Sequence, residues 1–334
     1  MNKSMNRKLI VSATPHIRSK EKVSDIMFDV LLALAPAAVM GTYYFGLKIV
    51  FLLAVSIVSC LGFEALFQLI TRRKVTISDL SAVVTGVLLT FNLPASAPLW
   101  LPIVGSFFAI VIVKQLFGGL GQNFMNPALG ARAFLLAAYP VYMTNWSVKP
   151  LGVDTITAAT SVAGVSSATP LALLKGGYVP GWEDILNAFT GNISGCIGET
   201  CAAALLLGFA YLLIRKVISW RIPVMYIGTF ALLAWMFGRN GAFTGNALFE
   251  VLTGGLLLGA IFMATDYSSS PITPVGQIIM GVGCGVLTAV IRIFGSYPEG
   301  VSYSILLMNL VVPLIDRATK PRIYGEVGKV ARNS

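Results

Sequence analysis

The chain has 334 residues, of which 56% are hydrophobic and 11% charged, against about 25% charged in an ordinary soluble domain. Its mean hydropathy is +0.80. No soluble core hides that much apolar surface, so the composition excludes a soluble enzyme and makes lipid the solvent of the fold.

The first stretch, residues 1–24, carries Lys3, Arg7, Lys8, Arg18, Lys20 and Lys22 without an apolar core or a small-residue cleavage site. It reads as a cytoplasmic arm and not as a secretory signal. Apolar segments then follow near 27–46, 49–70, 78–93, 98–116 and 126–141, and again near 194–214, 222–238, 246–264, 274–294 and 300–315. A hydrocarbon layer about 30 Å thick needs roughly 20 residues per helix, and these segments approach that length. The expected fold class is all-α polytopic, with about ten transmembrane helices. Its parts are a first membrane half over 25–141, a polar loop over 142–193, a second half over 194–316 and a basic tail over 317–334.

Orientation follows from the basic residues. All but six of the 24 Lys and Arg fall on the side of the N-terminus, in the arm, at 72–74, at 114, at 215–221 and in the tail. The remaining six are Lys48, Arg132, Lys149, Lys175, Arg239 and Arg292. The positive-inside rule then puts both termini in the cytoplasm and the 142–192 loop outside. The net charge of +10 reports this orientation and contact with anionic lipid, not nucleic acid.

Val83-Val84-Thr85-Gly86-Val87-Leu88-Leu89 in the third span is echoed by Val251-Leu252-Thr253-Gly254-Gly255-Leu256-Leu257 in the eighth. Gln115-Leu116-Phe117-Gly118 is similarly echoed by Arg292-Ile293-Phe294-Gly295. A five-span unit occurring twice would be inverted in its second copy, and such repeats place ligand and ion sites where the halves meet.

Four motifs are candidates for that chemistry. In GGLGQNFMNPALGARAF (118–134), Asn126-Pro127 fits an N-cap followed by proline in the first turn. Alternatively, Asn123 and Asn126 are paired amide donors and acceptors for a planar heterocycle. In AGVSSATPLALLK (163–175), Thr169 is either a helix cap or a hydroxyl esterified to a phosphate. GAIFMATDYSSSPITPVG (259–276) and GSYPEGVSYSILLMNLVVPLIDR (295–317) end their apolar helices at Asp266 and Asp316. Such acids are solvated or paired, as Asp316 beside Arg317, or they serve a cation or proton relay. Glu64 is the most embedded acid, and must be neutral, paired or wet. Cys60, Cys196, Cys201 and Cys284 match no zinc or disulfide spacing and read as small apolar fillers. The lone histidine, His16, and the absence of triad, phosphate-loop and H-E-x-x-H patterns leave no soluble-type catalysis, so redox work requires a cofactor.

Taken together, NFMNPALGARAF, SSATPL, FMATD and YPEGVSYSILLMN resemble the NqrB/RnfD family, membrane proteins of the Rnf electron transport complex and of the related sodium-translocating NADH:quinone reductase. The resemblance is strongest to the RnfD branch and runs from SATPHI (12–17) to LID (314–316). It implies covalent FMN, linked by a phosphoester to Thr169 in an S-x-A-T motif with Ser166 and Ala168, installed by a flavin transferase outside the cytoplasm. The family string reads D-G-x-S-G-A-T, where this chain has Ala163 and Ser167 at the aspartate and second glycine. The resemblance further implies a riboflavin near Asn123 and Asn126, and an ion pathway through Asp266 and Asp316. Its partners would be the iron–sulfur, NADH-site and second covalent-flavin subunits of an ion-translocating ferredoxin:NAD+ oxidoreductase, of which this chain is one non-autonomous part. The alternative from another class is a flavin-free secondary transporter or channel.

Overall fold

The computed structural model describes residues 22–146, 169–238, 243, 245–295 and 299–320. Among these the chain is helical, and the one β-type pairing is an isolated antiparallel bridge between Pro94 and Cys196. The lack of sheet follows from the solvent, since an open sheet edge in hydrocarbon would leave backbone groups unpaired.

The first half contains α1 (Val23–Phe45), α2 (Lys48–Ile70), α3 (Ser81–Phe91), α4 (Trp100–Phe107) and α5 (Pro127–Ala138). α4 runs on as a π-helix through Phe108–Gln115. Between the halves lie α6 (Pro140–Met143), α7 (Pro170–Lys175) and α8 (Trp182–Thr190). The second half contains α9 (Ala202–Ile214), α10 (Arg221–Met236), α11 (Ala247–Leu252), α12 (Leu256–Leu258), α13 (Pro274–Phe294) and α14 (Val301–Ala318), with a π-helical continuation of α12 over Gly259–Met263.

Four helices, α1, α2, α13 and α14, are individually long and apolar enough to cross a membrane. The chain is thus a multi-pass membrane protein. The other expected spans are shorter apolar helices or composites. α10 packs closely on α13, where Gly281 and Gly285 face the carbonyls of Ile222 and Tyr226; a Cβ at either glycine would lie 2.9 Å from that oxygen. Small residues permit this approach where lipid supplies no hydrophobic drive between helices.

The eighth span departs from expectation. It is not one helix over 246–264 but is broken at Thr253–Gly255, between α11 and α12. Gly254 and Gly255 take φ of +73° and +71°, a conformation open to glycine at little cost. Space also demands them: a Cβ at Gly254 would collide with Leu171 Cδ1, and one at Gly255 would lie 2.5 Å from Glu199 Oε2. The matching Thr85-Gly86 of the first half stays inside the continuous helix α3.

Side-chain contacts sort the helix ends into two groups. At one end, Asp29 of α1 accepts from Tyr211 Oη (2.8 Å) and pairs with Arg215 (3.1 Å) after α9, Tyr267 Oη donates to the Val217 carbonyl, and Ser219 donates to Gln277 (2.9 Å). At the other, Tyr44 Oη donates to Thr190 O (3.1 Å), Lys48 Nζ to Ser96 O (2.9 Å), Ser96 Oγ to Asn145 O (2.6 Å) and Lys175 Nζ to Gly295 O (2.7 Å).

Candidate functional site

Asn126 sits where sequence places it, as the N-cap of α5. Its Oδ1 accepts from the backbone N–H of Ala128 (3.0 Å) and Leu129 (3.3 Å), and Pro127 fills the first helical position. Its amide nitrogen reaches across to the second half, donating to Met263 O at 3.2 Å. Asn309 of α14 completes the junction: turned so that its nitrogen donates to Ile305 O and Ser269 O, it presents its oxygen to the Asn126 N–H at 3.2 Å. One asparagine thereby ties α5, the π-helical segment and α14 together, and both polar atoms of its side chain are committed in doing so.

Beside this tie lies a cavity of about 80 Å³ between the halves. Asn123, Asn126 and Asp266 all line it, with Ser81, Thr85 and Lys114 as further polar wall and apolar side chains such as Ile26, Val30 and Phe262 around them. Two motifs separated by well over a hundred residues therefore meet in one place. Asn123 Nδ2 donates to Met125 O (3.0 Å). Asp266 accepts from Ser268 Oγ and Ser269 Oγ through Oδ2, each at 2.9 Å. Both serines belong to the SSS string that follows the aspartate, so this local turn fixes the carboxylate at the cavity rim.

Asp316 is not in the cavity wall. It accepts from the Ile272 N–H at 3.1 Å, which anchors the chain entering α13 to the end of α14, in place of the pairing with Arg317 that adjacency allows. The structure thus separates the two acids that sequence grouped, one lining the cavity and one bracing the turn behind it.

Glu64, the deepest acid, is paired. Lys114 Nζ lies 2.9 Å from both of its carboxylate oxygens and 2.6 Å from Ser81 Oγ, and Gln115 Nε2 adds a bond of 2.8 Å. Both side chains of the ion pair are at most 2% exposed. Lys114 reaches Glu64 from the π-helical stretch; a wider turn of this kind redirects side chains relative to an α-helix, and such bulges occur often at functional sites.

Thr169 lies at the opposite end of the bundle, as the N-cap of α7 with Pro170 next, and its Oγ1 accepts from Ala172 N at 3.3 Å. It is 7% exposed. Leu171, two residues on, packs against Gly254 at the break in the eighth span. Ser166 and Ala168, like Ala163 and Ser167, lie outside the described residues. Farther along, α8 begins with Asp184 accepting from Tyr178 Oη (2.7 Å) and Gly181 N (2.8 Å), and these donors hold its carboxyl below the usual range.

Of the four cysteines, all are buried and free, and Cys60, Cys201 and Cys284 serve as fillers. Cys196 does not. Its sulfur lies 3.6 Å from Arg132 Nη2, in a polar pocket between helix ends. Arg132 and Arg292 count in the sequence only toward orientation, yet both are buried and bonded. An arginine inside an apolar span is itself a signal, because it has to find buried acceptors.

Known proteins share this sequence over nearly its whole length. A model of the NQR2, RnfD, RnfE family matches residues 10–325. The chain is 51% identical over 319 residues, 95% of each chain, to the D subunit of the Na(+)-translocating ferredoxin:NAD(+) oxidoreductase complex of Acetobacterium woodii. It is 44% identical over 328 residues, 94% of this chain and 96% of the other, to the D subunit of the proton-translocating ferredoxin:NAD(+) oxidoreductase complex of Clostridium ljungdahlii. It is 40% identical over 329 residues, 92% and 93% of the two chains, to the D subunit of the ion-translocating oxidoreductase complex of Stutzerimonas stutzeri.

Proposed function

Because the chain belongs to the NQR2, RnfD, RnfE family, we propose that it is the flavin-carrying membrane subunit of an ion-translocating ferredoxin:NAD+ oxidoreductase, working with the other Rnf subunits and not alone. The observation that carries the coupling half of this reading is the cavity between the halves where Asn123, Asn126 and Asp266 meet. The end bearing Asp29, Arg215 and Asp316 faces the cytoplasm in this reading, and the end bearing Thr169 faces outward, within reach of a flavin transferase.

Thr169 fits an FMN phosphoester. Among the described residues its hydroxyl oxygen only accepts, from Ala172 N, so replacing the hydroxyl proton by a phosphate costs no donated hydrogen bond. When bound, the isoalloxazine supplies reversible electron transfer at a potential its surroundings tune. The chain's part is to anchor it: α7 is held to the second half by Leu171 against Gly254 and by Lys175 on the Gly295 carbonyl.

Asn123 and Asn126 are the residues of this chain that would hold a riboflavin. Asn126 Nδ2 gives one of its two N–H groups to Met263 O, and Asn123, whose Nδ2 donates to Met125 O, lines the same cavity. The cavity, at about 80 Å³, falls below the roughly 300–1,000 Å³ of ordinary small-molecule pockets. A ring bound there would require the two halves to part from their present contact, whereas water fits the cavity as it stands.

Asp266 is the carboxylate placed to receive the cation. Negative charge introduced into a low-dielectric interior strengthens the attraction for a compensating cation at a nearby acid. Relatives named for sodium translocation and for proton translocation both resemble this chain over nearly its whole length. Asp266→Asn is expected to slow ion transport by the assembled complex several-fold while Asp316→Asn, outside the cavity, has the smaller effect; equal, unchanged rates would remove the cavity from the pathway.

The decisive measurement for the flavin is the intact mass of the chain isolated from its native complex, expected to exceed the sequence mass by one FMN less water. A mass equal to the bare polypeptide refutes the assignment and favours the flavin-free transporter, whose own support is the same inter-half cavity.

A further inference from the structure

We propose that Cys196, Glu199 and Glu299 form a site for one thiophilic divalent cation of the zinc class, near the break in the eighth span and independent of the flavin. One ligand atom from each residue lies within 4.8 Å of the others. They come from two separate stretches, the turn ahead of α9 and the turn ahead of α14, so a bound ion would pin one to the other.

The observation that points to a ligand is Glu199. Its side chain is 4% exposed, and one oxygen, Oε1, is used by the Cys196 backbone N–H at 2.8 Å. The other, Oε2, is buried and has no hydrogen-bond partner among the described residues. A carboxylate oxygen taken out of water and given no donor is costly. Gly255, whose missing Cβ leaves room for this oxygen, lines up with that reading, because a side chain there would occupy its place.

Charge points the same way. Arg132 pairs with Glu299 and also donates to Asn92 Oδ1 at 2.7 Å, and Glu199 forms no direct ion pair among the described residues. The guanidinium of Arg292 spreads its N–H groups over the carbonyls of Glu250, Gly254 and Glu299 at 2.7–2.8 Å. With Cys196 as thiolate the three ligands carry more negative charge than Arg132 and Arg292 together offset, and a divalent ion supplies the difference. The thiolate is the ligand form of cysteine, so binding of the ion displaces the thiol proton.

Ligand type selects the metal. Magnesium, calcium and sodium take oxygen sets, whereas a sulfur with two carboxylates suits zinc and its neighbours. Zinc is commonly four-coordinate, and three protein ligands leave a position for water. A cavity of about 90 Å³ lined by Arg132, Glu299, Trp146 and Tyr303 adjoins the cluster and has room for that water.

The test uses the full chain in detergent, stripped with EDTA and titrated with Co2+ as the probe. One equivalent is expected, with a thiolate-to-cobalt charge-transfer band that Zn2+ abolishes and Mg2+ leaves. Cys196→Ser is expected to lose the band. Isosteric Glu199→Gln, which retains an oxygen to accept from the Cys196 N–H, is expected to weaken binding by at least the roughly 10-fold that changes around metal sites cost. No band in the wild-type chain, a band that persists in Cys196→Ser, or unaltered affinity in Glu199→Gln would each overturn the site.

Discussion

Thr169→Ala is expected to remove covalent flavin from the chain completely and, with it, electron flow through the assembled complex. The effect is absolute because an ester needs an oxygen, and alanine has none. Its structural cost is small by comparison: losing a hydroxyl N-cap costs about 0.5–2 kcal/mol, and α7 spans only Pro170–Lys175. The two consequences separate with Thr169→Asn. Asparagine is as good a cap as threonine, yet it cannot be esterified by phosphate, so this variant is expected to assemble normally and still give no fluorescent band on a denaturing gel. A fluorescent band in either variant would move the attachment elsewhere. Normal electron flow in a flavin-free variant would leave the chain as a structural anchor.

Lys114→Met is expected to destabilise the first half by about 3–5 kcal/mol, the usual cost of stripping one partner from a buried ion pair. The pair is a severe instance, since both side chains are at most 2% exposed and Lys114 also holds Ser81 at the start of α3. Alone, the Glu64 carboxylate retains Gln115 and Gln68 but no cation. Adding Glu64→Gln to Lys114→Met removes the stranded charge and keeps an acceptor for Gln115, so the double variant is expected to recover most of the loss. Thermal unfolding of the purified chain in detergent measures both. Equal stability of the single variant and wild type would mean that water reaches Glu64.

Hydropathy made the membrane class legible because lipid imposes it on nearly every residue of a span, and a signal repeated that often survives uncertainty about each end. It located all the long helices, α1, α2, α13 and α14, near their observed limits. The cap at Asn126 was legible for a different reason: a cap is a local arrangement between one side chain and the next three backbone N–H groups. Thr169 as a cap was legible in the same way.

What stayed hidden in sequence was set by contacts between segments far apart in the chain. The break at Gly254–Gly255 reads as a helical repeat of Thr85-Gly86 until Leu171 and Glu199 are seen to occupy the space a continuous helix with side chains would need. Asp266 and Asp316 look equivalent as acids ending apolar helices, yet only Asp266 reaches the cavity, because α14 directs Asp316 to the N–H of Ile272. Cys196 looks like filler until Arg132, 64 positions away, comes within 3.6 Å of its sulfur. Sequence alone determined the solvent, the long helices and the local caps, each of which depends on neighbours within a few residues. Only the tertiary structure decided which polar groups share a cavity and which bury one another's charge, since inside lipid a buried polar group must find its partner wherever the packing of helices brings one.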